Sequence, residues 1–525
     1  MTAARLMIQG TASSAGKSLL VTALCRVYRR RGVRVAPFKA QNMSLNSFIT
    51  EEGLEIGRAQ AIQAEAAGLS PSRLMNPILL KPETEQRSQI IVNGRPRANL
   101  TAREYYHFRS SLRPEVASAL AQLAAAHDLI LIEGAGSPAE INLRENDLAN
   151  MGVAALADSP VILVGDIDRG GVFAALYGTV QLLEEEDRAR IQGLIINKFR
   201  GDRAILEPGL HRMENLLGIP FLGVIPFLPV RLDEEDSLTD RLSARGGVRG
   251  NVSGGCVDIA IPRLPRISNF TDFNPLDAQE DVVLRYVSSA AALGRPDLVI
   301  LPGSKSTMAD LRFLKDSGLA EAITALRGQG MPVMGICGGY QMMGRSLHDP
   351  DQSESSLPEM AGLGFLDMRT VFARSKRTAR ATLRILPVPG ILEDAAGMEV
   401  AGYEIHMGSS VPLGSALTLA ERLGGGNGGE AGEMPEKARE GMVSEDGLVV
   451  GTYLHGIFDD LAFTRALLNA LRRRKNLPSL PAPAGRYARM REESYDRLAD
   501  AVEQCLKWDA LEKILNSSRL SQHQT

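Results

Sequence analysis

The chain alternates short, wholly apolar runs with stretches of helical periodicity, and few architectures accept that pattern. Arg5–Gln9, Val33–Phe38, Leu129–Glu133, Val161–Gly165 and Gly193–Asn197 read as strands, and Lys17–Arg31 as an amphipathic helix between the first two. Continuous apolar runs mark strands buried on both faces, and helices between them mark crossover connections. The alternation therefore predicts a parallel sheet with helices on each side. A second alternation starts at Val257–Ile261 and runs through Leu298–Leu301, Val333–Ile336 and Leu448–Leu454.

A single hydrophobic core stops growing at roughly 250–300 residues, so 525 residues predict two α/β domains. The polar, glycine-rich stretch Asp233–Gly255 reads as linker chemistry. The expected organisation is one domain over 1–235, a linker over 236–255, a second domain over 256–475 and a polar helical tail over 476–525. Gly424–Glu440 is low in complexity and is expected to form a surface loop.

Charge and cysteine usage remove several classes. Lys and Arg total 59 against 62 Asp and Glu, a net charge of −3, so no nucleic-acid or membrane-surface footprint is expected. Cys25, Cys256, Cys337 and Cys505 are scattered, without disulfide or metal-ligand spacing. The N-terminal residues lack a basic segment followed by a long apolar one, so no signal peptide is expected. No apolar run approaches the ~20 residues of a bilayer-spanning helix. A cytoplasmic protein is the expectation.

The first chemical constellation is Gly10-Thr-Ala-Ser-Ser-Ala-Gly16-Lys17-Ser18, between a strand and a helix. Such a loop offers backbone N–H groups and a helix N-terminus to phosphate oxygens, a lysine to the terminal phosphates and a hydroxyl to Mg²⁺. Thr11 stands where the strict pattern has glycine, making this a variant loop. Thr11, Ser14, Ala15, Gly16, Lys17 and Ser18 are the candidate ATP contacts. Glu133, at a strand end before Gly134-Ala-Gly136, is the candidate metal partner of Ser18; Asp166 and Asp168 are weaker ones. Asn197, in Asn197-Lys198, reads either as a base-binding residue or as a polar turn.

The second constellation centres on Cys337, in a strand–turn–helix flanked by Gly335, Gly338 and Gly339. The glycines permit a sharp bend that exposes the sulfur at a helix N-terminus, where thiolate is favoured. Gly303, in Leu301-Pro-Gly303-Ser304-Lys305, and Gly338 are the expected oxyanion donors. His455, in Gly451-Thr-Tyr-Leu-His455-Gly, is the expected base. His406 competes for that role and reads better as a structural or substrate-side residue.

These segments are familiar together. GICGGYQMMG, with LPGSK before it and TYLHGIF after it, resembles the class I glutamine amidotransferase module, which has a flavodoxin-like fold. GTASSAGKS with EGAGSPAE is similar to dethiobiotin synthetase. FKAQNMSLNSFIT (Phe38–Thr50), MNPILLKP (Met75–Pro82), NKFRGD (Asn197–Asp202), SNFTDFNPL (Ser268–Leu276) and YEIHMG (Tyr403–Gly408) resemble the cobyric acid synthase family. The resemblance covers most of the chain outside the Gly424–Glu440 loop and the C-terminal tail. It implies ATP, Mg²⁺ and glutamine as cosubstrates and a corrinoid acid as acceptor. It implies neither nucleic acid nor membrane as a partner, and leaves homo-oligomerisation open. The family amidates the b, d, e and g carboxylates of adenosylcobyrinic acid a,c-diamide to give adenosylcobyric acid, in cobalamin biosynthesis. Lys39, Gln41, Asn42 and Lys81 are the expected substrate residues.

One departure is visible. Many class I amidotransferases carry His-x-Glu, but here Gly456-Ile457 follow His455, so the third member is either Glu404 or absent, leaving a dyad. The rivals fit less well. Partition-type ATPases carry a lysine where Ala12 stands. The sister enzyme for the a and c carboxylates has an acidic motif in place of Gln41-Asn42-Met43. Cell-wall amidotransferases usually split these domains over two chains. An inactive, scaffold-only glutaminase conflicts with the intact Cys337 and His455.

Overall fold

The computed structural model describes residues 3–83, 86–229, 255–355, 357–414, 416–423, 439–483 and 485–521. The expected linker lies outside them save for Gly255, as does the expected loop from Gly424 save for Arg439 and Glu440. The chain divides into two units.

The first unit is built on six strands: β1 (Ala4–Gly10), β2 (Val35–Phe38), β3 (Leu129–Glu133), β4 (Val161–Asp166), β5 (Ile191–Phe199) and β6 (Phe221–Pro226). All pair in parallel, in the order β6-β5-β4-β1-β3-β2. Side chains alternate between two apolar layers: Leu6 and Ile8 of β1 enter one, Met7 the other. Helices α1 (Lys17–Arg30) and α2 (Arg58–Ala67) contribute Leu20, Leu24, Ile62 and Ala66 to the first layer. After β3 the chain passes to the other side of β1, so the topological switch falls at the carboxyl end of β1, where such sheets bind ligands. A further sheet of Gln41–Met43, Ile78–Pro82, Arg87–Val92 and Arg95–Thr101 belongs mostly to hairpins, which the alternation rule does not register.

The second unit also has a parallel sheet: β7 (Val257–Pro262), β8 (Val282–Val287), β9 (Leu298–Leu301), β10 (Val333–Ile336) and β13 (Val449–Thr452), in the order β8-β7-β9-β10-β13. Beyond β13 it continues through Arg439–Val443 and Leu417–Arg422 into the long strand β11 (Met368–Ile385), which pairs antiparallel with β12 (Glu399–Pro412). Helices α3 (Thr307–Asp316) and α4 (Gly338–Met342) follow β9 and β10, and α5 (Leu461–Arg474) follows β13.

Two segments depart from the expected boundaries. Ser44–Leu54 folds with the second unit, and Met490–Thr525 folds with the first. The latter is therefore not a separate polar tail. From α6 (Tyr487–Cys505) and α7 (Trp508–Ser521), Tyr495, Leu498, Val502, Leu506, Leu511 and Leu515 join the layer containing Leu6, Ile8 and Leu24. A parallel sheet needs both faces covered, and these helices supply part of one cover. Arg26 of α1 reaches Asp496 at 2.7 Å and Glu492 at 2.8 Å. The Arg31 guanidinium lies 3.8 Å from the centroid of the Trp508 ring.

Candidate active sites

In the first unit the loop after β1 closes on the N-terminus of α1. Gly16 caps the helix with φ 93°, and a Cβ there would fall 2.0 Å from Asn197 Nδ2. Only glycine meets both demands. Asn197 donates to Ala15 O at 2.9 Å, and the Thr11 N–H donates to Val164 O at 2.9 Å. Asn197 thus holds the loop backbone. Lys17 Nζ donates to Ala12 O and Gly136 O, both at 2.9 Å, so it lies across the mouth of the loop that Ser14 helps to line.

Glu133, at the end of β3 and 1% exposed, gathers three donors. Ser18 Oγ donates to Oε1 at 2.8 Å, Lys39 Nζ to Oε1 at 2.9 Å and Gln63 Nε2 to Oε2 at 2.5 Å. A hydroxyl and a carboxylate in contact are a donor set that suits Mg²⁺, which keeps several waters and takes phosphate oxygens besides one or two protein ligands. Among the described residues no group of three or more His, Cys, Asp or Glu side chains is placed to hold a metal. Asp166 and Asp168 are paired instead, with Lys198 at 2.8 Å and Arg200 at 3.0 Å.

Of the expected substrate residues, only Lys39 reaches this cluster. Gln41 accepts from Tyr105 Oη at 2.5 Å, and Asn42 donates to Gln60 at 3.0 Å. Lys81 is 3% exposed and pairs with Glu55 at 2.8 Å. Its carboxylate partner is Glu55, not the Glu133 that gathers Lys39.

In the second unit β10 ends at Cys337, which takes φ 51° and ψ −109° before α4 begins. A non-glycine residue held there is strained, as nucleophile turns commonly are. The strain is fixed by close packing: a Cβ on Gly339 would fall 2.0 Å from Leu301 O. The Cys337 N–H donates to Thr452 O at 2.8 Å, and its Sγ lies 3.5 Å from Ile405 O. A Cβ on Gly338 would fall 2.9 Å from Ser304 N and one on Gly303 3.2 Å from His455 Cε1, so the Gly303–Ser304 loop lies beside both the turn and the ring. Asp310 of α3, buried, accepts from Ser304 Oγ at 2.6 Å and from the Arg266 N–H at 3.2 Å. It joins the Gly303 loop to the loop after β7, and burial pushes its carboxyl up to about 6.

His455, fully buried, has its Nδ1 2.6 Å from Asp272 Oδ2, while Asp272 Oδ1 accepts the Gly456 N–H at 3.1 Å. Burial alone would lower its pKa. The Asp272 carboxylate, hydrogen-bonded to the ring, and the Cys337 sulfur together outweigh burial and raise it to about 10. This arrangement corrects the sequence reading: a third acid exists, and it is Asp272. Glu404 is held by Arg377 at 2.6 Å and by Arg422. His406 Nδ1 donates to Gly408 O at 2.9 Å, and the ring stacks on Tyr453 at 3.8 Å; burial, opposed by Glu404, lowers its pKa to about 4. Asp272 lies within Ser268–Leu276, far from His455 in sequence, so no spacing rule points to the pair.

Comparison with known proteins agrees with this fold. Residues 6–237 match the CobQ/CobB/MinD/ParA nucleotide-binding domain, and residues 258–463 the CobB/CobQ-like glutamine amidotransferase domain. Fold and site together define an amidotransferase in which a glutaminase is joined to a nucleotide-binding domain. A cobyric acid synthase of Caldanaerobacter subterraneus subsp. tengcongensis is 49% identical over 98% of this chain and 99% of its own length. One of Sorangium cellulosum is 51% identical over 99% of this chain and all of its own, and one of Yersinia enterocolitica 48% identical over 97% and 98%. The chain belongs to the cobyric acid synthase family. Among the described residues no helix is long and apolar enough to cross a membrane.

Proposed function

We propose that the chain converts adenosylcobyrinic acid a,c-diamide to adenosylcobyric acid, amidating the b, d, e and g carboxylates with ATP and glutamine. The observation that carries the proposal is the Cys337–His455–Asp272 array, on the same chain as a phosphate loop whose Ser18 meets Glu133.

Cys337 thiolate attacks the glutamine amide carbon. The N–H groups of Gly303 and Gly338 receive the developing oxyanion. The C–N bond breaks as His455 Nε2 gives its proton to the leaving nitrogen, releasing ammonia and a γ-glutamyl thioester. Water then gives a proton to Nε2 as it attacks the thioester, and glutamate leaves. Asp272 keeps Nδ1 protonated and the ring oriented throughout.

At the first unit Lys17 and the loop N–H groups hold the ATP phosphates. Ser18 and Glu133 would hold Mg²⁺, which neutralises phosphate charge when bound. An acceptor carboxylate attacks the terminal phosphoryl group, giving an acyl phosphate and ADP. Ammonia attacks the acyl carbon and phosphate leaves. Lys39, beside Glu133, is the side chain best placed to meet that carboxylate. The surroundings are expected to be cytoplasmic, with reduced cysteines.

The test is mass spectrometry of adenosylcobyrinic acid a,c-diamide after incubation with enzyme, Mg-ATP and ¹⁵N-amide glutamine. Full amidation at the b, d, e and g positions with the label is expected. Cys337→Ala should lose the reaction with glutamine and keep it with ammonium. Glutamine hydrolysis without any change in the corrinoid would refute the acceptor.

A further inference from the structure

Asn269 stands at the ring nitrogen of His455 that Asp272 does not hold. Its Nδ2 lies 3.4 Å from Nε2, and its Oδ1 accepts the Ser47 N–H at 2.9 Å. A backbone N–H can only donate, so Ser47 decides which end of the amide is oxygen. The amino end therefore faces the ring. An amide NH₂ also only donates, so this contact is attractive when Nε2 carries a lone pair and repulsive when it carries a proton. Asp272 and Cys337 act in the opposite sense, favouring the cation. Among the described residues, the ionisable side chains acting on the ring are Asp272, Cys337, the stacked Tyr403 and, electrostatically, His406.

The local structure holds the amide in place. Asn269 is 2% exposed and takes φ 51° and ψ 38°, a left-handed conformation that asparagine tolerates better than most residues. Ser47 lies in the stretch Ser44–Leu54, which is itself fastened on either side of it. Asn46 Oδ1 accepts the Phe270 N–H at 3.1 Å, and Tyr403 Oη donates to Ser47 O at 3.2 Å. The Tyr403 ring in turn stacks on His455, with centroids 5.2 Å apart and planes 18° from parallel.

We infer that Asn269 is a positioning residue of the glutaminase site, oriented by the Ser47 N–H, whose amide takes up Nε2 of His455 once that nitrogen has given its proton to the leaving ammonia. The C–N electron pair departs with the ammonia, the thioester remains on Cys337, and Nε2 is left with a lone pair. Asn269 Nδ2–H steadies that lone pair until water arrives and surrenders a proton to it. Ser44–Leu54, although it lies in sequence among the ATP-site segments, is then a working part of glutamine hydrolysis. The inference rests on the roles proposed above for Cys337 and His455.

The test is the pH profile of kcat for glutamine hydrolysis by the full chain. Asn269→Gly removes the amide and keeps the left-handed backbone accessible. Asn269→Asp keeps the acceptor for Ser47 and puts a carboxylate oxygen at Nε2. For the glycine variant kcat should fall about fivefold to tenfold, the worth of one hydrogen bond, with KM nearly unchanged. For the aspartate variant kcat should fall further, and its acid limb should move to higher pH, because the carboxylate holds the ring protonated. Unchanged kcat in both variants, or a loss with no movement of the limb in the aspartate variant, would overturn the inference. Absence of Cys337-dependent hydrolysis in the unaltered chain would instead overturn the parent reading, and this one with it.

Discussion

Replacing Asp272 by asparagine tests the most specific feature of the glutaminase site. The carboxylate makes a 2.6 Å hydrogen bond to His455 Nδ1 and accepts the Gly456 N–H at 3.1 Å. A charge-assisted hydrogen bond is worth about 1.5–3 kcal/mol, and each ~1.4 kcal/mol is tenfold in rate, so its loss alone predicts about a tenfold to hundredfold fall in kcat/KM. Loss of the correct tautomer adds to that, and in serine hydrolases the equivalent change costs ~10⁴-fold. The assay is glutamate release from glutamine, with ammonium-supported amidation as the control for the other half of the chain. Asp272→Asn should lose the first and keep the second. Stability gives an independent reading. The folded pKa of His455, about 10, lies above its ordinary 6.5, so the ion pair stabilises fully below 6.5 and is lost as pH rises through 10. The Tm gap between the two proteins should be widest in acid and close over that window. Undiminished glutaminase in Asp272→Asn, with Glu404→Gln inactive, would refute the assignment.

Three further outcomes are expected. Lys17→Ala and Glu133→Gln should each abolish ATP-dependent product with glutamine or ammonium, and calorimetric nucleotide titration should show weakened binding in the lysine variant. Ending the chain at Arg489 should leave the first unit unfolded: burying Leu498, Val502, Leu506, Leu511 and Leu515 is worth ~1.5–3 kcal/mol each, on the order of the whole stability of a domain. Denaturant titration or aggregation on expression would show it. Gly339→Ala, whose methyl would meet Leu301 O at 2.0 Å, should cost at least about 1–3 kcal/mol and reduce glutaminase with it, as urea midpoints and ammonia release would show.

Local patterns carried much of this in the sequence. Gly16-Lys17-Ser18 and Gly335 to Gly339 were readable because a phosphate loop and a nucleophile turn are short-range constraints, met by neighbours in the chain. Asp272 was not, because only the return of β13 beside the loop after β7 brings it to His455. The hydrophobic faces of α6 and α7 were visible as a period, but periodicity does not say which sheet a helix covers. Lys81 was expected at the substrate because a sequence does not display Glu55 beside it. Ser44–Leu54 lay within the expected first domain, 1–235, and its hydrogen bonds to Phe270 and Asn269 are long-range facts of folding.

The placement of α6 and α7 has a consequence for the order of biosynthesis. Strand β1 is made before α6 and α7, yet the layer holding Leu6 and Ile8 is completed by side chains of 495–515. Through most of synthesis that apolar face lacks part of its cover. That layer is therefore completed only after the second unit has been made, so the first unit closes its core last although its sheet is begun early.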